Sequence, residues 1–103
     1  MDSIAKITEE IKHFRDERDW LQFHDPKNMA VSIMLEASEL LEHFQWKTKA
    51  EVKEYIQSNR ESVQEEIADI SMYLFELADN LGIDLLEAME KKLKKNVDKY
   101  PVA

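Results

Sequence analysis

The sequence predicts an all-α fold, a bundle of four main helices, and three observations carry that expectation. One Gly and two Pro in 103 residues leave too little turn punctuation for a set of short strands. Charged residues make up 35% of the chain, a share that favours long helices. Apolar residues recur at intervals of three and four over several segments, the period of a helix with one buried face.

The first helix is expected over residues 3 to 19, with Ser3 as N-cap and Ile4, Ile7, Ile11 and Phe14 as its apolar stripe. The period breaks in Asp19-Trp20-Leu21-Gln22-Phe23-His24-Asp25-Pro26. There Asp25 fits an N-cap and Pro26 the first helical position. A second helix then runs to about Trp46, with Met29, Ala30, Ile33, Met34, Ala37, Leu40, Leu41 and Phe44 on one wide apolar face. Residues 49 to 57 read as a short helix or connector. From about Arg60 to Leu81 a long helix is marked by Val63, Ile67, Ile70, Leu74, Leu77 and Leu81, and Gly82 closes it. Asp84 caps a last helix through Leu85, Leu86, Met89 and Leu93 to about Lys99, and Pro101 ends it.

This length holds one domain, residues 1 to 103, around one core. The lack of cysteine excludes disulfides, thiolate metal sites and cysteine nucleophiles. No run approaches the roughly 20 apolar residues that span a bilayer, and Met1-Asp2-Ser3-Ile4 does not open a leader segment, so a soluble cytoplasmic protein is expected. A net charge of −8 argues against a nucleic acid polymer as partner. A small anion remains possible if cations or a lysine cluster offset the charge locally.

Two carboxylate pairs stand out, Glu36-x-x-Glu39 and Glu66-x-x-Asp69. With Glu36 at zero on a helical wheel, the apolar face of its helix covers roughly 20° to 160° and Glu39 falls near −60°. Counting from Glu66, the apolar residues fall at roughly 20° to 80°, Tyr73 near −20° and Asp69 near −60°. Both pairs therefore sit on the same shoulder of a core-facing helix. If the shoulders meet, four acids converge. They would then raise one another's pKa or hold a hard cation, and an all-oxygen set suits Mg²⁺, or Mn²⁺, rather than zinc. In a chain with 22 Asp and Glu, such pairs also arise on solvated helix flanks, and the pattern alone leaves both readings open.

The two pairs in this order resemble the metal-binding signature of the MazG-like all-α nucleoside triphosphate pyrophosphohydrolases. The stretch from Arg18 through Trp20 and His24 to Asn28, then Phe44-Gln45-Trp46-Lys47, and the ending Lys92-x-x-x-Asn96-x-x-Lys99-Tyr100-Pro101, are similar to the dCTP pyrophosphatase branch of that superfamily. Two departures stand against the pattern. Leu35 precedes Glu36 where the broader signature has a second glutamate, and Ile11 occupies a position where some relatives carry His.

The resemblance implies Mg²⁺ held by Glu36, Glu39, Glu66 and Asp69, and hydrolysis of a nucleoside triphosphate to the monophosphate and pyrophosphate. Spacing does not choose the base that activates the water; Glu39 is the candidate. Lys92, Asn96 and Lys99 share one helical stripe, which by spacing alone is a solvated face near a helix end. The resemblance turns Lys92 and Asn96 toward phosphate oxygens, with Lys99 a further candidate. Trp20, His24, Trp46 and Tyr73 are candidates for a base and sugar pocket, and Asn28 joins them by resemblance. Apolar residues on every long helix, and the relatives, lead to the expectation of a homodimer or homotetramer. Two other classes stay open: a di-iron carboxylate bundle, for which only Glu10-x-x-His13 has the needed spacing, and a non-catalytic helical interaction module.

Overall fold

The computed structural model describes residues 1–103 as four helices, α1 (Ser3–Glu17), α2 (Pro26–Glu42), α3 (Lys49–Asn80) and α4 (Leu85–Lys99), with one 3₁₀ turn at Leu21–Phe23. Side-chain caps start each helix. Asp25 accepts from the Asn28 amide with Pro26 in the first turn, and Asp84 accepts from the Glu87 amide, as the sequence predicts. At α1 the cap is Asp2, which accepts from Ala5 N–H, and not Ser3, which lies inside the helix. Thr48 and Glu51 form a reciprocal capping box at the start of α3.

Three boundaries differ from the sequence reading, the first being that α1 ends at Glu17 and not at residue 19. α2 stops at Glu42, and residues 43 to 46 form a turn in which Gln45 N–H bonds to the Leu41 carbonyl. The expected connector at 49 to 57 and the helix from Arg60 are one helix, bent at Asn59 (φ −124°, ψ 23°). The Asn59 side chain donates to the Tyr55 carbonyl at 3.0 Å, so the kink has a local polar cause. Gly82, at φ 69°, closes α3: its amide bonds to Asp79 O and that of Ile83 to Ala78 O. The same pattern ends α1, but with Asp19 in the left-handed position at φ 55°; Asp19 N–H bonds to Asp16 O and Trp20 N–H to Arg15 O. That turn throws the chain back so that the 3₁₀ turn and His24 return to α3.

α3 is the axis on which the others pack. α2 runs antiparallel along it, with Met29 beside Asn80 at one end and His43 beside Tyr55 at the other. α1 is antiparallel to its last third, tied by Lys12 to Asp79 and Arg15 to Glu76. Met29, the most buried side chain at 1% exposure, and Val63 and Ala78 are the buried apolar residues. On α1 the buried side is Thr8 and Arg15, with Ile4 and Ile11 half-buried, whereas Ile7 and Phe14 are exposed. The inward face is thus rotated from the predicted stripe, because α1 turns a charged residue inward to meet Glu76.

On α2 only part of the wide apolar face is covered by α3. Ile33, Leu40 and Phe44 are half-buried, while Met34 is 75% exposed and Leu41 is also exposed. Leu93 and Val97 on α4 are exposed too. The radius of gyration is 16.6 Å, well above the ~13 Å expected of a compact domain of about 100 residues. No helix is long and apolar enough to cross a membrane.

Candidate functional site

α2 and α3 meet along the shoulders predicted for them. Carboxylate oxygens of Glu36, Glu39 and Glu66 all lie within 4.8 Å of one another. Such closeness is unfavourable for three ionised groups, and it shows: the Glu66 carboxyl is raised to about 8, chiefly by its hydrogen bond to Glu36, with desolvation and the Glu39 carboxyl adding to the effect. One proton is therefore shared within the cluster near neutral pH. Asp69 lies one turn further along α3 and is not within this tight group, but it faces the same cavity as Glu36.

That cavity, about 270 Å³, opens between α1, the 19–25 segment, α2 and α3. Glu36 and Asp69 line one part of it, and Trp20, His24 and Tyr73 another. The rings form a connected set: Phe14 to Trp20 at 5.6 Å, Trp20 to His24 at 6.4 Å and His24 to Tyr73 at 6.5 Å between centroids. Ile11 is in the wall. On the other flank of the carboxylates, Glu39 and Glu66 border a more open recess with Glu42, His43 and Tyr55, where His43 Nδ1 and the Tyr55 hydroxyl are 2.6 Å apart.

Two charged residues absent from the sequence reading stand in the cavity wall. Glu76 places Oε2 2.6 Å from His24 Nδ1 and 3.6 Å from an Arg15 guanidinium nitrogen, and the Glu76 and Arg15 side chains are only 4% and 8% exposed. Arg15 also donates from Nε to Asp16 at 2.8 Å. A signal for both exists in the sequence. Glu76 falls at roughly −80° on the wheel of Glu66, on the shoulder of Asp69 and Tyr73, and Arg15 at about 20° from Ile4, inside the apolar stripe.

The other candidates lie elsewhere. Asn28 donates to Asp25 Oδ2 at 2.6 Å and toward the Phe23 carbonyl, so it braces the start of α2. Trp46 is 87% exposed in the turn after α2, outside the cavity. Lys92 and Lys99 are exposed on α4 and Asn96 is half-buried; none of the three borders the cavity, and the Lys99 ammonium lies 5.4 Å from its neighbour Tyr100's ring centre.

Fold and site together define a class: an all-α protein in which two antiparallel helices gather acids beside a cavity walled with aromatic rings. Residues 31–103 match the MazG-like family. A solved pyrophosphatase from Archaeoglobus fulgidus DSM 4304 is 42% identical and superposes with a TM-score of 0.92, over 99% of this chain and 95% of that one. The dCTP pyrophosphatase 1 of Rattus norvegicus is 41% identical over 91 residues, 86% of this chain, and that of Homo sapiens 42% over 90 residues. The chain spans about half the length of these curated relatives, 54% and 53%. The chain belongs to the MazG-like family.

Proposed function

We propose that this chain is a Mg²⁺-dependent nucleoside triphosphate pyrophosphohydrolase, with dCTP the first candidate substrate on the strength of its similarity to the rat and human dCTP pyrophosphatases. The observation that carries the reading is that the cavity with aromatic walls opens on Glu36 and Asp69. Rings suit a nucleobase. Acids repel a polyphosphate, so the two belong to one site only if divalent cations lie between them.

The donor set fits such ions. Glu36, Glu39 and Glu66 offer converging oxygens, no sulfur or imidazole is in the cluster, and the raised Glu66 carboxyl marks a charge in want of a counterion. Glu36, Glu39, Glu66 and Asp69 would hold the ion, which would neutralise phosphate oxygens and the charge developing on the leaving group. Trp20 and Tyr73 would flank the base and fix the α-phosphorus relative to the carboxylates. Glu39, which also faces the open recess, would take a proton from an entering water. The water oxygen bonds to the α-phosphorus, the bridging bond to the β-phosphate breaks, and monophosphate and pyrophosphate leave. Lys92, Asn96, Lys99, Trp46 and Asn28 would reach this substrate only from a neighbouring subunit or after movement, since none borders the cavity.

A homo-oligomer belongs to the same reading. The chain exposes 8270 Å², against roughly 6,000 Å² for a compact monomer of 12.2 kDa. The excess is of the size buried in obligate interfaces, and Met34, Leu41, Trp46, Leu93 and Val97 supply apolar contact for it. The test of the whole proposal is a panel of nucleoside triphosphates assayed with Mg²⁺ and with chelator. Monophosphate and pyrophosphate in equal amounts, lost on chelation, are expected. Release of orthophosphate, or turnover indifferent to chelator, would overturn it.

A further inference from the structure

Glu76 is a buried acid, and nothing in the hydrolytic reading uses it. Its carboxylate oxygen lies 2.6 Å from His24 Nδ1. Arg15 approaches the same oxygen at 3.6 Å and balances its charge. The backbone of His24 is held as well, since Asn80, one turn beyond Glu76 on α3, donates to the His24 carbonyl at 2.7 Å. A ring fixed at both its backbone and one nitrogen has little freedom to turn. Its other nitrogen, Nε2, has no hydrogen-bond partner in the protein and is not sealed from solvent, while the ring lines the cavity between Trp20 and Tyr73.

From this we infer that Glu76 and Arg15 are positioning residues that set the tautomer of His24 and, through it, the base that the cavity prefers. A carboxylate can only accept, so the neutral imidazole must carry its proton on Nδ1 and donate it to Glu76. Nε2 is then a fixed acceptor. Facing a nucleobase, it welcomes an exocyclic amine and opposes a carbonyl oxygen at the same place, because two acceptors repel and each would lose a hydrogen bond to water. The cavity thus favours an amino base over its keto counterpart, cytosine over uracil. The identity of the occupant rests on the reading of the site as a nucleotide cavity; the tautomer does not.

Two measurements on the full chain separate these claims. Nitrogen-15 NMR of the histidine rings, with the His24 signals identified by their loss in H24F, reads the tautomer without nucleotide. The expected result at pH 8 is a protonated Nδ1 and a bare Nε2; the reverse pattern would overturn the inference whatever the enzyme does. Next, kcat/KM is compared for dCTP and dUTP, which differ in the 4-substituent and in the proton that uracil carries on N3. At least about a tenfold preference for dCTP is expected, falling to within about threefold in H24F, with the loss carried by KM. Turnover of both nucleotides at equal efficiency would refute the inference and leave the proposed activity standing. Absence of pyrophosphate release would defeat the activity, and the ring assignment would then be judged by NMR and by weaker binding of dUMP than of dCMP, equal binding counting against it. E76Q offers Nδ1 an amide that both accepts and donates and so no longer fixes the tautomer; because it strips Arg15 of a buried partner and can unfold the chain, the wild type and H24F carry the test without it.

Discussion

Binding of Mg²⁺ should expel a proton, and the amount follows from the cluster. With the Glu66 carboxyl at about 8, the three acids hold one proton between them below that pH. Metal binding requires all of them ionised. At pH 7 uptake should therefore release about 0.9 proton per site, and at pH 9 only about 0.1. Apparent affinity should weaken about tenfold for each pH unit below 8. Calorimetric titration in buffers of different ionisation enthalpy reads the proton count directly. A binding heat that does not depend on the buffer at pH 7 would refute the picture of a cluster that shares a proton. Stability gives the sign independently. An acid whose pKa is raised in the folded state supports folding most below its unfolded value, near 4.5, and that support is lost as pH climbs through about 8. The metal-free protein should accordingly lose melting temperature from this source between those limits. E66Q should flatten the slope and abolish the proton release.

Other outcomes follow from the same geometry. E39Q and D69N should each reduce pyrophosphate release by at least about a hundredfold while the helical circular dichroism is unchanged, and near-normal turnover in either would contradict its role. D19G should raise stability by about 0.5–1 kcal/mol in urea unfolding, and D19V should lower it, since the position sits at φ 55°. Sedimentation should give a mass two or four times 12.2 kDa, and M34E, which places a charge on an exposed apolar position of α2, should shift it toward the monomer.

Much of this protein could be read from residues close together in the chain. The helical segments, the caps at Asp25 and Asp84 and the turn at Gly82 depend on contacts within about five positions, and the caps and the turn are where the sequence put them. The same locality explains the small misses. Asp2 and Ser3 are both able to cap α1, and the kink at Asn59 is a single side-chain bond inside an otherwise continuous helix. The carboxylate shoulder was legible too, because the three-residue spacing in each of two helices fixes the side of each helix on which the acids lie. Which of them meet was not: Glu36, Glu39 and Glu66 converge within 4.8 Å and Asp69 turns to the cavity.

What the chain alone could not reveal is the meeting of Arg15, His24 and Glu76, drawn from α1, a left-handed turn and α3. On a wheel, one arginine in an apolar stripe or one glutamate on an acidic shoulder resembles many solvated charges. Their pairing depends on the rotation of α1 about its axis, which packing against α3 sets. Likewise the wide apolar face of α2 is only partly covered by α3, and Met34 and Leu41 on it are exposed. Helical periodicity determines which residues share a face; only the packing of helices determines what that face touches.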